Sequence, residues 1–207
     1  PFMSQTICLK PNGEELTEAD DMAYNLYKMT HDEIKQFDCG IKFHKRFPNQ
    51  NKIKVYKPLL KEVFDLAKSK KANVKFNIEI KSKPEYYGIY TPKPSEYVKL
   101  VLDEIIDAEM FNHVNLQSFD LKILEEVKKQ SPKMPVALLV DEDETIEGKL
   151  SKLSYKPKII SPYFKLLSKE RVKELKSENF QVIPWTVNTK DYMLQMIDFE
   201  VNGIITD

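Results

Sequence analysis

The amino-acid sequence predicts an α/β fold built around a sheet of parallel strands. From residue 58 onward, short β-branched segments alternate with segments whose apolar residues recur at helical spacing. Strict alternation of strand and helix produces parallel strands joined by right-handed crossovers. An open doubly wound sheet and a closed barrel both satisfy this order. The chain has only 5 glycines, and no glycine-rich phosphate loop follows any predicted strand, which weighs against the open sheet.

The elements of this sheet are predicted in order from their periodicity and their end signals. Pro58 suits the first turn of a helix that runs to Lys70 and carries Leu59 and Val63 on its apolar stripe. Ser168 can cap a later helix through its hydroxyl oxygen. The predicted strands are 74–81, 113–119, 135–140, 158–162, 181–187 and 203–206, and the other predicted helices are 95–109, 120–129, 145–153, 168–177 and 191–199.

The first part of the chain has a different character. Residues 1–57 are polar and irregular, with a predicted turn at 11–13, a short predicted helix near 30–37 and a basic stretch at 45–54. We interpret 1–57 as a polar insertion or excursion of the domain whose regular part is 58–207. The whole chain is therefore expected to form one domain.

Composition and charge exclude two classes of partner for the chain as a whole. Lysine plus arginine and aspartate plus glutamate both number 32, so there is no overall basic field for nucleic acid or an anionic membrane, although local patches are compatible with this balance. No apolar run approaches the roughly 20 residues of a membrane helix, and the sequence shows no exposed apolar loop for entering a bilayer. We therefore expect a small-molecule substrate, no nucleic acid and no stable membrane insertion.

The two cysteines leave the cellular compartment open. Cys8 and Cys39 both lie in the irregular part, where they form either a disulfide of an exported protein or two unpaired thiols. No Cys/His cluster has the spacing of a zinc site. No signal peptide is visible and the sequence begins at Pro1, so periplasmic, secreted and cytoplasmic locations all stay open.

The segment from Asn77 to Lys81 carries the strongest chemical signal. Side chains alternate across a strand, so Asn77, Glu79 and Lys81 share one face, and the apolar residues between them share the other. Central parallel strands are normally apolar on both faces, and an unpaired charge there is costly. Two explanations are equally compatible with this pattern. Either Glu79 ligates a cation while Lys81 holds an anion, or the two form a simple ion pair at the exposed end of the strand.

The same segment resembles the N-I-E-I-K strand of the glycerophosphodiester phosphodiesterase family. Three further segments resemble family motifs in the same order: 117–119 a strand end, 185–188 the W-T-V-N strand end, and 203–207 the closing G-I-I-T-D. The long polar insertion is similar to that of a bacterial branch. The resemblance implies a TIM-type (β/α)8 barrel, of which 58–207 would form the C-terminal three quarters with the last six βα units.

The resemblance also implies a chemistry. Family members hydrolyse glycerophosphodiesters to glycerol 3-phosphate and an alcohol during phospholipid degradation, with a divalent metal that we expect to be Ca²⁺ or Mg²⁺. By position in the motifs, Glu79 would be a metal ligand, and the substrate-binding residues would be Lys81, Gln117, Phe119 and Trp185. All five lie near the carboxyl ends of predicted strands, where barrel enzymes build their sites.

The catalytic motifs of that family are not found in this sequence at their family positions, at the ends of the first two barrel strands. They are a His-Arg after the first strand, a Glu-x-Asp after the second and a histidine shortly beyond it. We expect these motifs upstream of Pro1, and we therefore expect the 207-residue chain to be inactive by itself. His31, His44 and His113 do not occupy the corresponding positions, and we expect none of them to be catalytic.

Two alternative functions stay open at this point. One is a barrel of the same fold that cleaves intact phospholipid head groups, and the other is a catalytically silent, ligand-binding barrel fragment. Six strands of an eight-stranded barrel leave two edges unpaired. We therefore expect the missing strands to be supplied from elsewhere, or the sheet to be rearranged or paired within a homo-oligomer.

Overall fold

The computed structural model of the protein describes residues 2–207. An irregular N-terminal region, residues 2–59, holds a 3-10 turn (Glu18–Asp20), one short α-helix, α1 (His31–Ile34), and a small core of its own. Beyond it, strands and helices alternate without exception. They are α2 (Leu60–Ser69), β1 (Phe76–Glu79), α3 (Pro94–Asp107), β2 (Val114–Ser118), α4 (Leu121–Gln130), β3 (Val136–Val140), α5 (Ile146–Leu150), β4 (Ile159–Pro162), α6 (Lys169–Ser177), β5 (Gln181–Val182) and α7 (Lys190–Asp198).

The five strands form one parallel sheet in the order β1-β2-β3-β4-β5. Each strand therefore lies beside its predecessor in the chain, with a helix in every crossover. A doubly wound sheet reverses its strand order at a switch point, and this sheet does not. The sequential order is that of a barrel wall, so the structure favours the barrel over the open sheet that the alternation alone also allowed.

The predicted last strand is present as an irregular extension of this wall. The N–H of Val187 donates to the carbonyl of Ile205 at 2.9 Å, and the N–H of Ile205 donates to the carbonyl of Pro184 at 2.9 Å. Residues 203–206 thus run beside the end of β5 without forming a regular ladder, because Pro184 has no N–H to contribute. Among residues 2–207, no strand pairs with the other side of β1, so the described wall is open there.

The core lies between the sheet and the helices. All five residues of β3 are buried, as expected for a parallel strand covered on both faces. Leu138 of β3 and Ile160 of β4 are fully buried at its centre, and Phe64 of α2 packs edge-on against Phe76 of β1 with ring centroids 5.0 Å apart. Within residues 2–207, no helix is both long enough and apolar enough to cross a membrane.

Side chains cap the starts of three helices that follow strands. The predicted cap is present, since the Ser168 hydroxyl accepts from the Arg171 N–H at 3.1 Å. The carboxylate of Asp120 and the hydroxyl of Thr145 do the same for α4 and α5. The predicted helix 145–153 is shorter than expected and ends at Leu150. These caps fix where α4, α5 and α6 begin.

A disulfide joins Cys8 to Cys39 in the N-terminal region. Around it, the backbones of Leu9 and Asp38 exchange two hydrogen bonds, at 2.7 and 3.2 Å. The N–H of Cys39 also donates to the carbonyl of Val55 at 2.7 Å. The structure therefore contains the disulfide between these cysteines and not two unpaired thiols.

Replacing both Cys8 and Cys39 by serine is expected to lower the free energy of unfolding of the N-terminal region by about 3 to 4 kcal/mol. The crosslink closes a loop with a sequence separation of 31, and most of its effect arises from restricting the unfolded chain. Thermal unfolding of the variant and the parent protein measures the loss. Alkylation without reductant is the control, and two labelled thiols in the unreduced protein would contradict the disulfide.

Candidate active site

The carboxyl ends of β1, β2 and β3 border a cavity of about 540 Å³. Barrel enzymes build their sites at this end of the wall, because the loops that follow parallel strands converge there. Most of the lining belongs to those three loops, with a contribution from the N-terminal region. The lining residues are Gln5, Glu79, Ile80, Lys81, Ser82, Lys83, Pro84, Tyr86, Phe119, Asp120, Asp141, Asp143, Glu144 and Lys149.

Glu79 and Lys81 lie together at the end of β1. The Lys81 Nζ is 2.8 Å from the Glu79 Oε2, and the side chains are 67% and 23% exposed respectively. An ion pair this exposed adds little to stability. Both side chains nevertheless line the cavity. The geometry thus combines the two alternatives, since the ion pair is formed and both charges still face the space where a ligand would bind.

An amide network runs along the same face of β1 and β2. The Asn77 side-chain amide donates to the Gln117 Oε1 at 3.0 Å, and Asn115 donates to the Asn77 Oδ1 at 2.5 Å. Gln117 is buried and does not line the cavity. Its place opposite Glu79 in the strand register puts it directly beside the site. The network holds the two strands in register next to Glu79, and Asn115 is a member that the sequence analysis missed.

Phe119 and Trp185 form an aromatic wall. Their rings meet edge-on with centroids 5.4 Å apart, and the indole N–H of Trp185 donates to the carbonyl of Ser161 at 2.8 Å. Phe119 lines the cavity, while Trp185 lies behind it and also contacts the ring of Tyr163. The structure therefore brings Glu79, Lys81 and Phe119 to the cavity itself, and it places Gln117 and Trp185 next to it.

The tyrosines of the loop after β1 have separate tasks. Tyr86 lines the cavity, and Tyr90 packs against Phe2 with centroids 4.6 Å apart. The Tyr87 hydroxyl donates to the Asp120 Oδ2 at 2.5 Å. Burial of the hydroxyl, its hydrogen bond to Asp120 and the charge of that carboxylate raise the pKa of Tyr87 well above its usual value. Tyr87 is therefore a neutral donor that holds the Asp120 carboxylate at the cavity wall.

The loop after β3 contributes further charges to the cavity. Asp141, Asp143 and Glu144 line the cavity together with Lys149, whose side chain is only 7% exposed. The Lys149 Nζ is 2.5 Å from the Glu144 Oε2 and 5.2 Å from the centroid of the Phe119 ring. Lys149 lies on the buried side of α5. A lysine at an inward-facing position of a helix was the one signal in the sequence that it lines the cavity.

The described residues offer limited support for a metal. The carboxylate of Glu79 is a hard oxygen donor of the kind that Ca²⁺ and Mg²⁺ prefer, and it faces the cavity. Within residues 2–207, however, no group of three or more His, Cys, Asp or Glu side chains is arranged to hold a metal ion. The chemistry of Glu79 therefore fits a metal ligand, and the described residues do not complete a metal site around it.

None of the described histidines lines the cavity. The His31 Nε2 is 3.2 Å from the carbonyl of Lys57, and the His44 Nδ1 accepts from the N–H of Arg46 at 3.1 Å. His113 lies just before β2, at the opposite end of the wall. The expectation that none of the three is catalytic stays a prediction.

Comparisons with known proteins agree with the geometry. The model of the Glycerophosphoryl diester phosphodiesterase family matches residues 13–207. A glycerophosphodiester phosphodiesterase of Caldanaerobacter subterraneus is 32% identical over 86% of the chain, and one of Bacillus subtilis is 26% identical over 84%. The chain spans 67% and 60% of the lengths of these two relatives.

Solved structures show the same fold. A protein of Silicibacter pomeroyi assigned as a glycerophosphoryl diester phosphodiesterase superimposes with a TM-score of 0.80 at 26% identity, over 97% of this chain and 71% of that one. A phosphodiesterase of Oleispira antarctica, solved in complex with the product sn-glycerol-3-phosphate, superimposes with a TM-score of 0.64 at 15% identity, over 86% and 67%. The predicted barrel fold is thereby confirmed.

Proposed function

Because the chain belongs to the glycerophosphoryl diester phosphodiesterase family, we propose that it hydrolyses glycerophosphodiesters to glycerol 3-phosphate and an alcohol in a metal-dependent reaction of phospholipid degradation. One observation in the structure carries this proposal. A carboxylate and an ammonium group, Glu79 and Lys81, lie two residues apart at the end of β1, and both line the cavity at the carboxyl end of the wall. A phosphodiester that binds together with a divalent cation needs a carboxylate for the cation and a positive charge for a phosphate oxygen, close to each other.

The proposed roles follow from the position of each side chain. Glu79 is one oxygen ligand of a divalent cation, Ca²⁺ or Mg²⁺, which when bound supplies positive charge to the diester. Lys81 binds a phosphate oxygen as a flexible point charge, and its largely exposed side chain leaves it free to turn from Glu79 to the ligand. Phe119 forms the apolar wall beside the glycerol moiety, with Trp185 fixing its ring from behind. Gln117 orients the strands next to Glu79.

The histidines to which the family resemblance assigns proton transfer are not found at the cavity. None of the histidines within residues 2–207 lines it, and the resemblance implies that histidines act as the acid and the base. We therefore assign these steps to family motifs outside the described residues. The relatives support the diesterase over the two alternative functions, because both curated relatives are glycerophosphodiester phosphodiesterases.

The proposal predicts release of glycerol 3-phosphate from glycerophosphocholine and glycerophosphoethanolamine by the full-length protein. The reaction is expected with Ca²⁺ or Mg²⁺ and is expected to stop when EDTA removes the metal, because the metal neutralises the diester oxygens. A coupled assay for glycerol 3-phosphate measures both. The 207-residue chain is assayed in parallel, and we expect it to be inactive alone. If the full-length protein hydrolyses neither diester, the fold assignment stands but the proposed reaction is wrong.

The compartment is also a proposal. Disulfides persist in oxidising environments and are rare in the cytosol, so the Cys8–Cys39 bridge supports a periplasmic or secreted location. Blocking thiols at the moment of cell lysis tests this directly. Free Cys8 and Cys39 in the protein from freshly lysed cells would argue for a reducing compartment.

A further inference from the structure

The N-terminal region presents a closed loop, residues 40–54, which we call the basic loop. Its two ends meet where the N–H of Cys39 donates to the carbonyl of Val55 at 2.7 Å, and the disulfide fixes Cys39 from the other side. The ends approach so closely that a Cβ on Gly40 would lie 1.9 Å from the carbonyl oxygen of Ile53. Glycine is therefore required at the base of the loop, where its two ends meet.

Charge in this part of the chain is of one sign. Between Cys39 and Leu60 there are six lysine and arginine residues and no aspartate or glutamate: Lys42, Lys45, Arg46, Lys52, Lys54 and Lys57. Lys42 and Arg46 are paired with Glu15 and Asp207. In the described part of the protein, Lys45, Lys52 and Lys54 take part in no salt bridge. The overall charge of zero thus conceals a local concentration of uncompensated positive charge.

Large apolar side chains of the same loop point to solvent. Phe43 is 52% exposed and Ile53 is 61% exposed, and Ile41 and Phe47 are also exposed. The expectation of no exposed apolar loop is wrong here. Lysines separate the apolar residues along the chain, so they form no continuous apolar run in the sequence, and only the folded loop displays them together. Exposed apolar groups among cations form an amphipathic surface.

The basic loop lies at the same end of the barrel wall as the cavity. The Arg46 guanidinium pairs with Asp207, at the carboxyl end of the closing segment, and the Asn188 side-chain amide donates to the same carboxylate at 2.8 Å. The cavity is bordered by the carboxyl ends of β1 to β3. Whatever surface the loop contacts therefore faces the mouth of the barrel.

We propose that the basic loop binds the surface of membranes that contain anionic phospholipids. Lysines near such a surface are attracted by its negative potential, while apolar side chains enter the boundary between head groups and acyl chains. Lys45, Lys52 and Lys54 supply the first contribution, and Phe43 and Ile53 supply the second. Nucleic acid is the less fitting occupant, because an exposed isoleucine adds nothing to phosphate contacts and the one arginine of the loop is held by Asp207. This proposal does not rest on the diesterase activity.

The test is sedimentation of the purified protein with vesicles of equimolar phosphatidylserine and phosphatidylcholine, compared with vesicles of phosphatidylcholine alone. The triple variant Lys45→Gln/Lys52→Gln/Lys54→Gln is expected to bind the anionic vesicles roughly a hundredfold more weakly, since each lysine contributes about fivefold. The matched control is Lys133→Gln/Lys152→Gln/Lys173→Gln, which removes three exposed lysines without described ion pairs and is expected to bind like the parent.

A second variant separates the apolar contribution from charge. Phe43→Ser/Ile53→Ser is expected to weaken vesicle binding at least about tenfold at unchanged net charge. All the altered side chains are exposed, and unaltered thermal unfolding of each variant checks that it folds. Equal binding by the loop variants and the control, or no preference for anionic vesicles, would overturn the proposal. Binding to single-stranded RNA that depends on the three lysines, without binding to vesicles, would also overturn it.

Discussion

Glu79→Gln is expected to reduce the hydrolysis of glycerophosphocholine by the full-length protein at least about a hundredfold. Loss of groups that merely support metal ligands typically costs about 10- to 100-fold, and a group that contacts the cation directly should cost more. The amide keeps the size and the hydrogen-bonding reach of the side chain but removes its charge. The packing around β1 is therefore preserved, and the loss reports on the carboxylate.

Two measurements distinguish this role from a structural one. Calorimetric titration with Ca²⁺ should show a weaker affinity for the Glu79→Gln protein, which a damaged fold with intact ligands would not produce. Glu85→Gln is the matched control, because Glu85 is exposed in the next loop and does not line the cavity. If both variants hydrolyse the diester equally well, Glu79 is not a ligand and its pairing with Lys81 is only structural.

Phe64→Ala is expected to lower the free energy of unfolding by about 3 to 5 kcal/mol. The ring is fully buried between α2 and β1, and its removal loses both the transfer free energy of the aromatic group and the contacts around the resulting cavity. The site should suffer as well, because Phe64 supports the strand that carries Glu79. Denaturation with urea, followed by circular dichroism, measures the change.

The control for Phe64 lies on the same helix. Leu66 is 59% exposed, and Leu66→Ala should lower the free energy of unfolding by less than about 1 kcal/mol. A large loss from Leu66→Ala would mean that this face of α2 is covered in solution. A small loss from Phe64→Ala would mean that α2 does not pack on β1 as the structure describes.

Local signals were sufficient for most of the barrel wall. The apolar run at β3 and the cap at Ser168 are short-range features, and both occur where the sequence predicted them. The ends of elements were less well predicted where proline interferes. The predicted strand 181–187 is regular only over Gln181–Val182, since Pro184 cannot contribute to a ladder and periodicity does not report hydrogen bonding.

The candidate site was only partly predictable because much of it depends on contacts between distant segments. Glu79, Lys81 and Phe119 were identified from their strand ends and the family resemblance, and all three line the cavity. Glu144 and Lys149 were missed, because acidic loops and amphipathic helices are common on surfaces and nothing local shows that these two turn inward. The basic stretch at 45–54 was recognised in the sequence, but the exposure of the apolar side chains beside it was not.

The side chain of Asp120 has three structural roles at once. One carboxylate oxygen caps α4 through the N–H of Lys122, the other accepts from Tyr87, and the same side chain forms part of the cavity wall. A substitution at this position cannot reshape the cavity without also loosening a helix start and a neighbouring loop. The same holds for Glu144 in the loop after β3, whose carboxylate accepts from both the Asp141 N–H and the Lys149 ammonium while it lines the cavity. Natural variation at this wall is therefore constrained by the stability of the scaffold.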